Sequence, residues 1–250
     1  MLEDQSVEEI IHNINQRQIS IKEVMEYYLD RIEKFNPDLN AIVLLKDRGD
    51  LIKEAIYKDN STQSEKTLDG IPIAIKDLSD VVGIKTTYGY PGTKDYFPKK
   101  NSLFVERLIK SGAIIIGKTN TAELAYGSQT TNRLFGSTYN PYNISKTAGG
   151  SSGGAAAAVS SGMLPLADGS DMMGSVRNPA AYCNLYGFRP TPGLIPEKRV
   201  EPSNIECPLL STLGGIAKTP DDLGLFLDAV AGRDSRDPFS FDLNAKFSET

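Results

Sequence analysis

The chain has 250 residues, 40% of them hydrophobic and 24% charged, and its net charge at neutral pH is −5. This composition is typical of a globular protein with a substantial core. The acidic balance argues against a nucleic-acid partner, and no apolar run approaches the ~20 residues of a membrane span. Two cysteines and an N-terminus without basic and apolar regions predict a cytoplasmic protein without a disulfide framework.

The sequence contains a single histidine, His12. It lies opposite the apolar face of a predicted helix over residues 6–16, so we expect it on the surface. Ser-His-Asp sites, Cys-His sites and most zinc sites all require histidine. We therefore expect no metal, no cofactor, and no histidine as a catalytic base.

Capping signals and apolar periodicity predict the elements in chain order. Capping boxes at Ser6 and Ser20 begin two helices, the second of which should end before Asn36-Pro37. The further predicted elements are strand 39–45, helix 48–57, polar loop 59–66, strand 70–77, helix 103–110, strand 113–116, helical turn 123–126, ordered loop 127–142, helix 154–161, strand 164–167, a helix start at 175–181, extended pieces 186–189 and 193–195, and helix 223–231. This alternation of helices and strands favours an α/β sandwich.

Two glycine-lined turns that carry serines lie close together, at residues 149–154 and 168–177. Bare backbone N–H groups in such turns can hold an anion, and a serine beside them can act as a nucleophile. The alternative is a phosphate-cradling loop or a tight helix-packing turn. Lys76 ends the buried strand 70–77, where it either pairs with Asp77 and reaches solvent or is desolvated with a lowered pKa.

Residues 112–119 match the P-loop pattern letter for letter. A true P-loop has its strand before the first glycine and an open loop between the glycines, whereas here the intervening residues form the strand themselves. We interpret the match as accidental. Cys183 is expected to be a small core residue, because no histidine is available to activate it.

Lys76, Ser151 and Ser175 suggest one constellation, in which a neutral lysine activates a serine through a second serine. At this point the chain resembles the amidase signature family, serine hydrolases of carboxamides. The segments that carry the resemblance are residues 70–77, 117–120 with Glu123, 140–141, 149–154, 171–177 and 187–191. The resemblance implies a mixed, largely parallel sheet covered by helices on both faces.

Carried over by position, the family pattern makes Lys76 the base, Ser151 the bridging serine and Ser175 the nucleophile. It also implies a cis Gly150–Ser151 bond and an oxyanion site formed by backbone N–H groups. The supporting residues are expected to be Ser152, Asp171 and Arg177. The N–H groups expected to form the oxyanion site are those of Met172, Met173, Gly174 and Ser175.

The chain departs from the family pattern in two ways. Met172-Met173 stands where Thr-Gly is commonest, which would crowd the turn if that position needs positive φ. Family members are usually about twice as long, so the resemblance implies the N-terminal half of one domain, incomplete at its C-terminus. Within 1–250 we expect peripheral helices over 1–60, a catalytic core over 67–231 and a loose tail over 232–250.

The predicted function is hydrolysis of the C–N bond of a small-molecule amide through a serine acyl-enzyme, with weak activity or none for these residues in isolation. One alternative is the amidase subunit of a tRNA-dependent amidotransferase. Others are a catalytically silent member of the family and a nucleotide-binding protein that uses residues 112–119. Aliphatic, aromatic, amino-acid and urea-like amides all remain open. So does the oligomeric state, with a homo-oligomer compatible with the sequence.

Overall fold

The computed structural model describes residue 2 and residues 5–61, 66–197, 210–243 and 245–249. Within these ranges the α-helices are α1 (Val7–Asn15), α2 (Ile21–Leu39), α3 (Arg48–Asn60), α4 (Leu103–Lys110), α5 (Gly153–Ser160), α6 (Arg177–Tyr182) and α7 (Pro220–Val230). In this described part of the chain, no helix has the length and apolar character needed to cross a membrane. Both predicted capping boxes are present, at Ser6 and Ser20.

The strands lie between these helices and form small sheets. They are β1 (Ile42–Leu45), β2 (Pro72–Lys76), β3 (Ile114–Thr119), β4 (Thr131–Asn132), β5 (Gly136–Ser137), β6 (Tyr139–Asn140), β7 (Asn143–Thr147), β8 (Leu166–Asp171), β9 (Tyr186–Phe188) and β10 (Thr212–Ala217). One sheet has the order β1-β3-β2 and another the order β8-β10-β9, while β4–β5 and β6–β7 form two-stranded pairs. The predicted α/β class is confirmed.

The strand directions correct one detail of the prediction. Among the described strands of the two larger sheets, only β2 and β3 pair in parallel, whereas β1–β3, β8–β10 and β9–β10 are antiparallel. The sheets are therefore mixed but not largely parallel. The apolar run in strand 70–77 indicates burial on both faces, and helices can provide that burial whatever the direction of the neighbouring strand.

Helices cover both faces of the sheet that contains β8 and β10. Gly169 and Gly214 are paired across these strands, and a Cβ at either position would point towards Val176 at the start of α6. At Gly215, the next residue of β10, a Cβ would instead point into Phe226 of α7. Successive residues of a strand face opposite sides, so the sheet is sandwiched between these helices.

Helix α5 approaches the sheets closely because its residues are small. Gly154 lies so near the end of β3 that a Cβ there would be 2.4 Å from the backbone nitrogen of Asn120. The alanines that follow, residues 155–158, are completely buried. The predicted buried helix of small residues is therefore confirmed, and its packing fixes the serine turn that precedes it against the end of β2.

The second helix is longer than predicted. Helix α2 continues through Pro37 to Leu39, and its C-cap Asn40 takes the left-handed conformation (φ 49°) typical of a helix C-terminus. The Asn36 side chain then accepts the N–H groups of Ala41 and Ile42, at 2.9 and 2.8 Å, and turns the chain into β1. The stop signal therefore acts one turn later than its position indicates.

Both ends of the described chain are tied to α7. The N–H of Val7, at the start of α1, donates to Asp222 Oδ1 at 2.7 Å. In the tail, Phe247 N–H donates to Asp228 Oδ1 at 2.7 Å, and Asp237 is buried. Phe247 is thus held to α7, while the division of the chain into peripheral helices, a core and a loose tail stays a prediction. The N-terminal region contributes β1 to a sheet, in addition to its helices.

Candidate active site

Lys76 is the last residue of β2, and its side chain is only 1% exposed. Its Nζ lies 2.8 Å from Ser151 Oγ and 3.0 Å from Ser170 Oγ. Burial lowers the pKa of Lys76 to about 7, and the carboxylates of Asp168 and Asp171 oppose that effect. Of the two interpretations of Lys76, the structure favours the desolvated lysine over an ion pair that reaches solvent.

Two neighbouring strands fix the position of Lys76. On one side Lys76 pairs in parallel with Thr119 of β3. On the other side its backbone N–H donates to Asp168 Oδ1 of β8 at 2.8 Å. The end of β2 is therefore held from both sides, and little freedom remains for the first atoms of the lysine side chain.

Ser151 is completely buried and follows a cis peptide bond from Gly150. Its carbonyl accepts the hydroxyl of Thr130 at 3.1 Å and the N–H of Ala122 at 3.2 Å. A Cβ at Gly150 would lie 2.7 Å from the backbone of Gln129. The glycine therefore lets two loops cross at this point, and the crossing presents Ser151 Oγ to Lys76.

The second serine turn is organised around the carboxylate of Asp171. This group accepts the N–H groups of Gly174 at 2.8 Å and Val176 at 3.2 Å, and it pairs with the Arg177 guanidinium at 2.9 and 3.0 Å. Burial favours the protonated acid, but Arg177 and the N–H donors outweigh it and lower the pKa of Asp171 to about 2. Gly174 has φ +110°, a conformation that side chains disfavour.

Ser175 is half-buried and lies beside the first serine turn, because its carbonyl accepts the N–H of Ser152 at 3.1 Å. Among the described residues, the Ser175 hydroxyl has no hydrogen-bond partner, so a direct bond to Ser151 is not formed. Catalytic hydrogen bonds are often long before substrate binds. The Ser152 hydroxyl is also buried without a partner in the described chain, so Ser152 supports the loop through its backbone alone.

The four predicted oxyanion N–H groups are not equivalent. The N–H of Gly174 is already bound to Asp171, whereas those of Met172, Met173 and Ser175 have no partner among the described residues. Met173 has no positive φ, and its side chain is 87% exposed. A methionine therefore fits this turn without the crowding that positive φ would have caused.

Sequence reasoning missed Ser170 and Asp168, which both face Lys76 from β8. Ser170 contacts the Lys76 amine and Asp168 contacts its backbone N–H. The two residues are spaced by two along one strand, so they point to the same side. That spacing was visible in the sequence, but the pairing of β8 beside β2 was not.

Three other predictions concern individual residues away from the serine turns. His12 is exposed, as predicted. Cys183 is buried, which raises its pKa to about 12, so it is a core residue and not an activated thiol. Residues 114–119 of the P-loop match form β3, and the side chain of Lys118 is buried against the hydroxyl of Thr86 at 2.9 Å. No open phosphate loop exists there.

The fold and this geometry define a class: mixed α/β proteins in which a buried lysine meets a serine-bearing, glycine-rich turn. The family model described as Amidase matches residues 23–249. The chain therefore belongs to the amidase family, the amidase signature proteins.

Individual relatives agree with this assignment. The chain is 37% identical over 241 residues to a glutamyl-tRNA(Gln) amidotransferase subunit of Alkaliphilus metalliredigens, covering 96% of this chain and 48% of the relative. It is 38% identical over 240 residues to an acylamidase of Rhodococcus erythropolis, covering 95% and 50%. The chain thus spans about half the length of these curated relatives.

Solved structures give the same picture. A bacterial aryl acylamidase of the amidase signature family superposes with a TM-score of 0.92 at 32% identity, covering 99% of this chain and 52% of that one. The peptide amidase of Stenotrophomonas maltophilia superposes with a TM-score of 0.89 at 27% identity, covering 99% and 53%. The predicted amidase signature fold is confirmed.

Proposed function

We propose that this chain carries the catalytic groups of a carboxamide hydrolase that works through a serine acyl-enzyme. The observation that carries the proposal is the buried Lys76 amine, 2.8 Å from Ser151 Oγ, on a turn hydrogen-bonded to Ser175. With a pKa of about 7, this amine is neutral in roughly half of the molecules at pH 7. A neutral amine can accept a proton, which an ammonium cannot do.

The proposed reaction passes one proton along three groups. Lys76 takes the proton of Ser151 while Ser151 takes the proton of Ser175, and Ser175 Oγ bonds to the amide carbonyl carbon. The C–N bond then breaks, and the leaving amine receives the proton back through Ser151. Water attacks the acyl-enzyme by the same route, which releases the carboxylic acid and restores Ser175.

The negative charge on the carbonyl oxygen needs donors in place before the reaction begins. We assign this role to the backbone N–H groups of Met172, Met173 and Ser175, which are available in the described structure. Gly174 has a different role, because its N–H holds Asp171 and its positive φ sets the shape of the turn. We therefore propose three oxyanion donors in place of the four that the family pattern implies.

The substrate class is proposed as a small-molecule amide. Similarity to an acylamidase and to the structure of an aryl acylamidase supports N-acylated amines, including aryl amines, as substrates. Because the chain spans about half the length of its relatives, we assign the catalytic groups to it and leave the choice of amide to experiment.

A second candidate function is that of an amidotransferase component, favoured by the 37% identity to the Alkaliphilus metalliredigens protein. Such an enzyme must take nitrogen from an amide donor such as glutamine. Release of ammonia from glutamine, without cleavage of aryl acyl amides, would favour this candidate. Cleavage of aryl acyl amides alone would favour the hydrolase.

A fluorophosphonate probe tests whether the site is catalytic at all, since it bonds covalently to activated serines. We expect intact-protein mass spectrometry to show one adduct, and peptide mapping to place it on Ser175. The Ser175→Ala variant should give no adduct. Ser161→Ala is the matched control, because it removes a hydroxyl that bonds to the carbonyls of Ala157 and Ala158 in α5, and it should still be labelled. Absence of an adduct on the wild-type protein would favour a catalytically silent family member.

A further inference from the structure

Asp168 is a buried carboxylate that the proposed reaction does not use. One oxygen, Oδ1, accepts the Lys76 N–H at 2.8 Å. The other, Oδ2, is buried and has no hydrogen-bond partner among the described residues. A buried carboxylate with an unsatisfied oxygen is costly, and a neutral amide that accepts the same N–H would avoid the cost of the buried charge. The charge of Asp168 therefore indicates a role that a neutral side chain could not perform.

The charges around Asp168 come from three strands. Lys76 lies on β2 and Lys118 on β3, and Asp171 follows farther along β8. The Lys118 amine bonds to other groups than Asp168: its Nζ donates to the Thr86 hydroxyl at 2.9 Å and lies 3.8 Å from Asp77 Oδ1.

Around the Lys76 amine itself, the hydrogen-bonding neighbours are two neutral hydroxyls, those of Ser151 and Ser170. Asp171 also raises the Lys76 pKa, but its carboxylate is paired with the Arg177 guanidinium at 2.9 Å. Asp168 is therefore the buried anion near Lys76 that has no cation bonded to it among the described residues.

We propose that Asp168 is a positioning residue, which holds the end of β2 through the Lys76 N–H and whose negative charge keeps the Lys76 amine basic enough to take a proton. This inference rests on the proposed function only in so far as Lys76 is the base. The contact and the burial of Asp168 stand independently of that role.

Burial and the charge of Asp168 shift the Lys76 pKa in opposite directions. Burial removes the Lys76 ammonium from water and lowers its pKa, and a nearby anion favours the ammonium and raises the pKa again. Burial raises the pKa of Asp168 itself to about 6, so most of the carboxylate is charged at pH 7, the midpoint of the Lys76 titration. A base works best when its pKa lies near the working pH. Without the Asp168 anion, the pKa of the buried Lys76 would fall below that pH.

The test is the Asp168→Asn variant, whose side-chain oxygen can still accept the Lys76 N–H but carries no charge. The Lys76 pKa would be read from the ¹³Cε chemical shift of labelled lysine, and the rate of fluorophosphonate labelling would be followed over the same pH range. We expect both midpoints to move to lower pH by about one unit, which is a tenfold change in the ratio of neutral to charged amine at a given pH. We also expect the plateau rate to fall.

A matched control is Asp222→Asn, because Asp222 is also buried and also accepts a backbone N–H, that of Val7 at 2.7 Å. It lies on α7, so its variant should keep the wild-type midpoints. If Asp168→Asn does not fold, Asp168→Leu removes the same charge and the unpartnered Oδ2, although it also leaves the Lys76 N–H without its acceptor. The Lys76 midpoint is again expected to move to lower pH.

The outcomes separate the two proposals. A folded Asp168 variant with the wild-type Lys76 midpoint overturns the role of Asp168. Wild-type protein that is not labelled at any pH overturns the hydrolase proposal, while the chemical-shift titration still decides whether Asp168 acts on Lys76.

Discussion

Replacing Lys76 with methionine should change the free energy of unfolding relative to the wild type, and this change should be more favourable at neutral pH than at alkaline pH. Methionine keeps most of the apolar stem of the side chain and removes the amine. The folded state holds this amine with a pKa of about 7, whereas its ordinary value is 10.5. Between these two values the unfolded chain binds a proton that the folded chain has released, so the wild-type free energy of unfolding rises with pH.

The size of the effect follows from the same two values. Each pKa unit corresponds to 1.36 kcal/mol, so the Lys76 contribution to the free energy of unfolding should rise by about 2 kcal/mol between pH 7 and pH 9. The variant lacks this contribution. Its stability relative to the wild type should therefore be about 2 kcal/mol more favourable at pH 7 than at pH 9.

Urea denaturation of both proteins at the two pH values measures this difference. Costs that do not depend on pH, such as the lost contacts of Ser151 and Ser170 with the amine, cancel when the two pH values are compared. Lys53→Met is a matched control, since that lysine is 79% exposed on α3 and should show no such dependence. If the Lys76→Met difference is the same at both pH values, the amine does not titrate in this range and cannot be the proposed neutral base.

Two further variants test the second serine turn. Gly174→Ala places a side chain at φ +110° and within 2.8 Å of Asn178. We expect urea denaturation to show a stability loss of about 1–3 kcal/mol, and mass spectrometry to show that Ser175 is no longer labelled. Asp171→Asn removes the ion pair with Arg177. It should lower the labelling rate at pH 7 more than tenfold, and it should flatten the fall of stability as pH drops towards about 2, the pKa of Asp171.

Local signals in the sequence predicted the local structure well. The capping boxes at Ser6 and Ser20 and helix α4 appear where they were expected, because caps and helical periodicity are determined by residues a few positions apart. Strand β10 was not predicted. Its central Gly214-Gly215 resembles a loop, and only the packing of Val176 and Phe226 on its two faces explains why glycines stand there.

The candidate site shows the same division. The lysine at the end of an apolar strand and the two serine turns were recognisable, and the structure brings Lys76 to Ser151. Asp168 and Ser170 were not recognised, because their importance depends on β8 lying beside β2, which no short pattern encodes. The role of Gly174 was likewise not recognised, because it depends on the hydrogen bond from the Gly174 N–H to the Asp171 carboxylate.

In the proposed mechanism, Lys76, Ser151 and Ser175 pass a single proton. The decisive experiment follows the rate of fluorophosphonate labelling of Ser175 as a function of pH, in wild type and in Ser151→Ala. We expect the wild-type rate to rise with pH through one ionisation near 7, and the Ser151→Ala rate to be at least about a hundredfold lower. A Ser151→Ala protein that is labelled at Ser175 as fast as the wild type would contradict this mechanism.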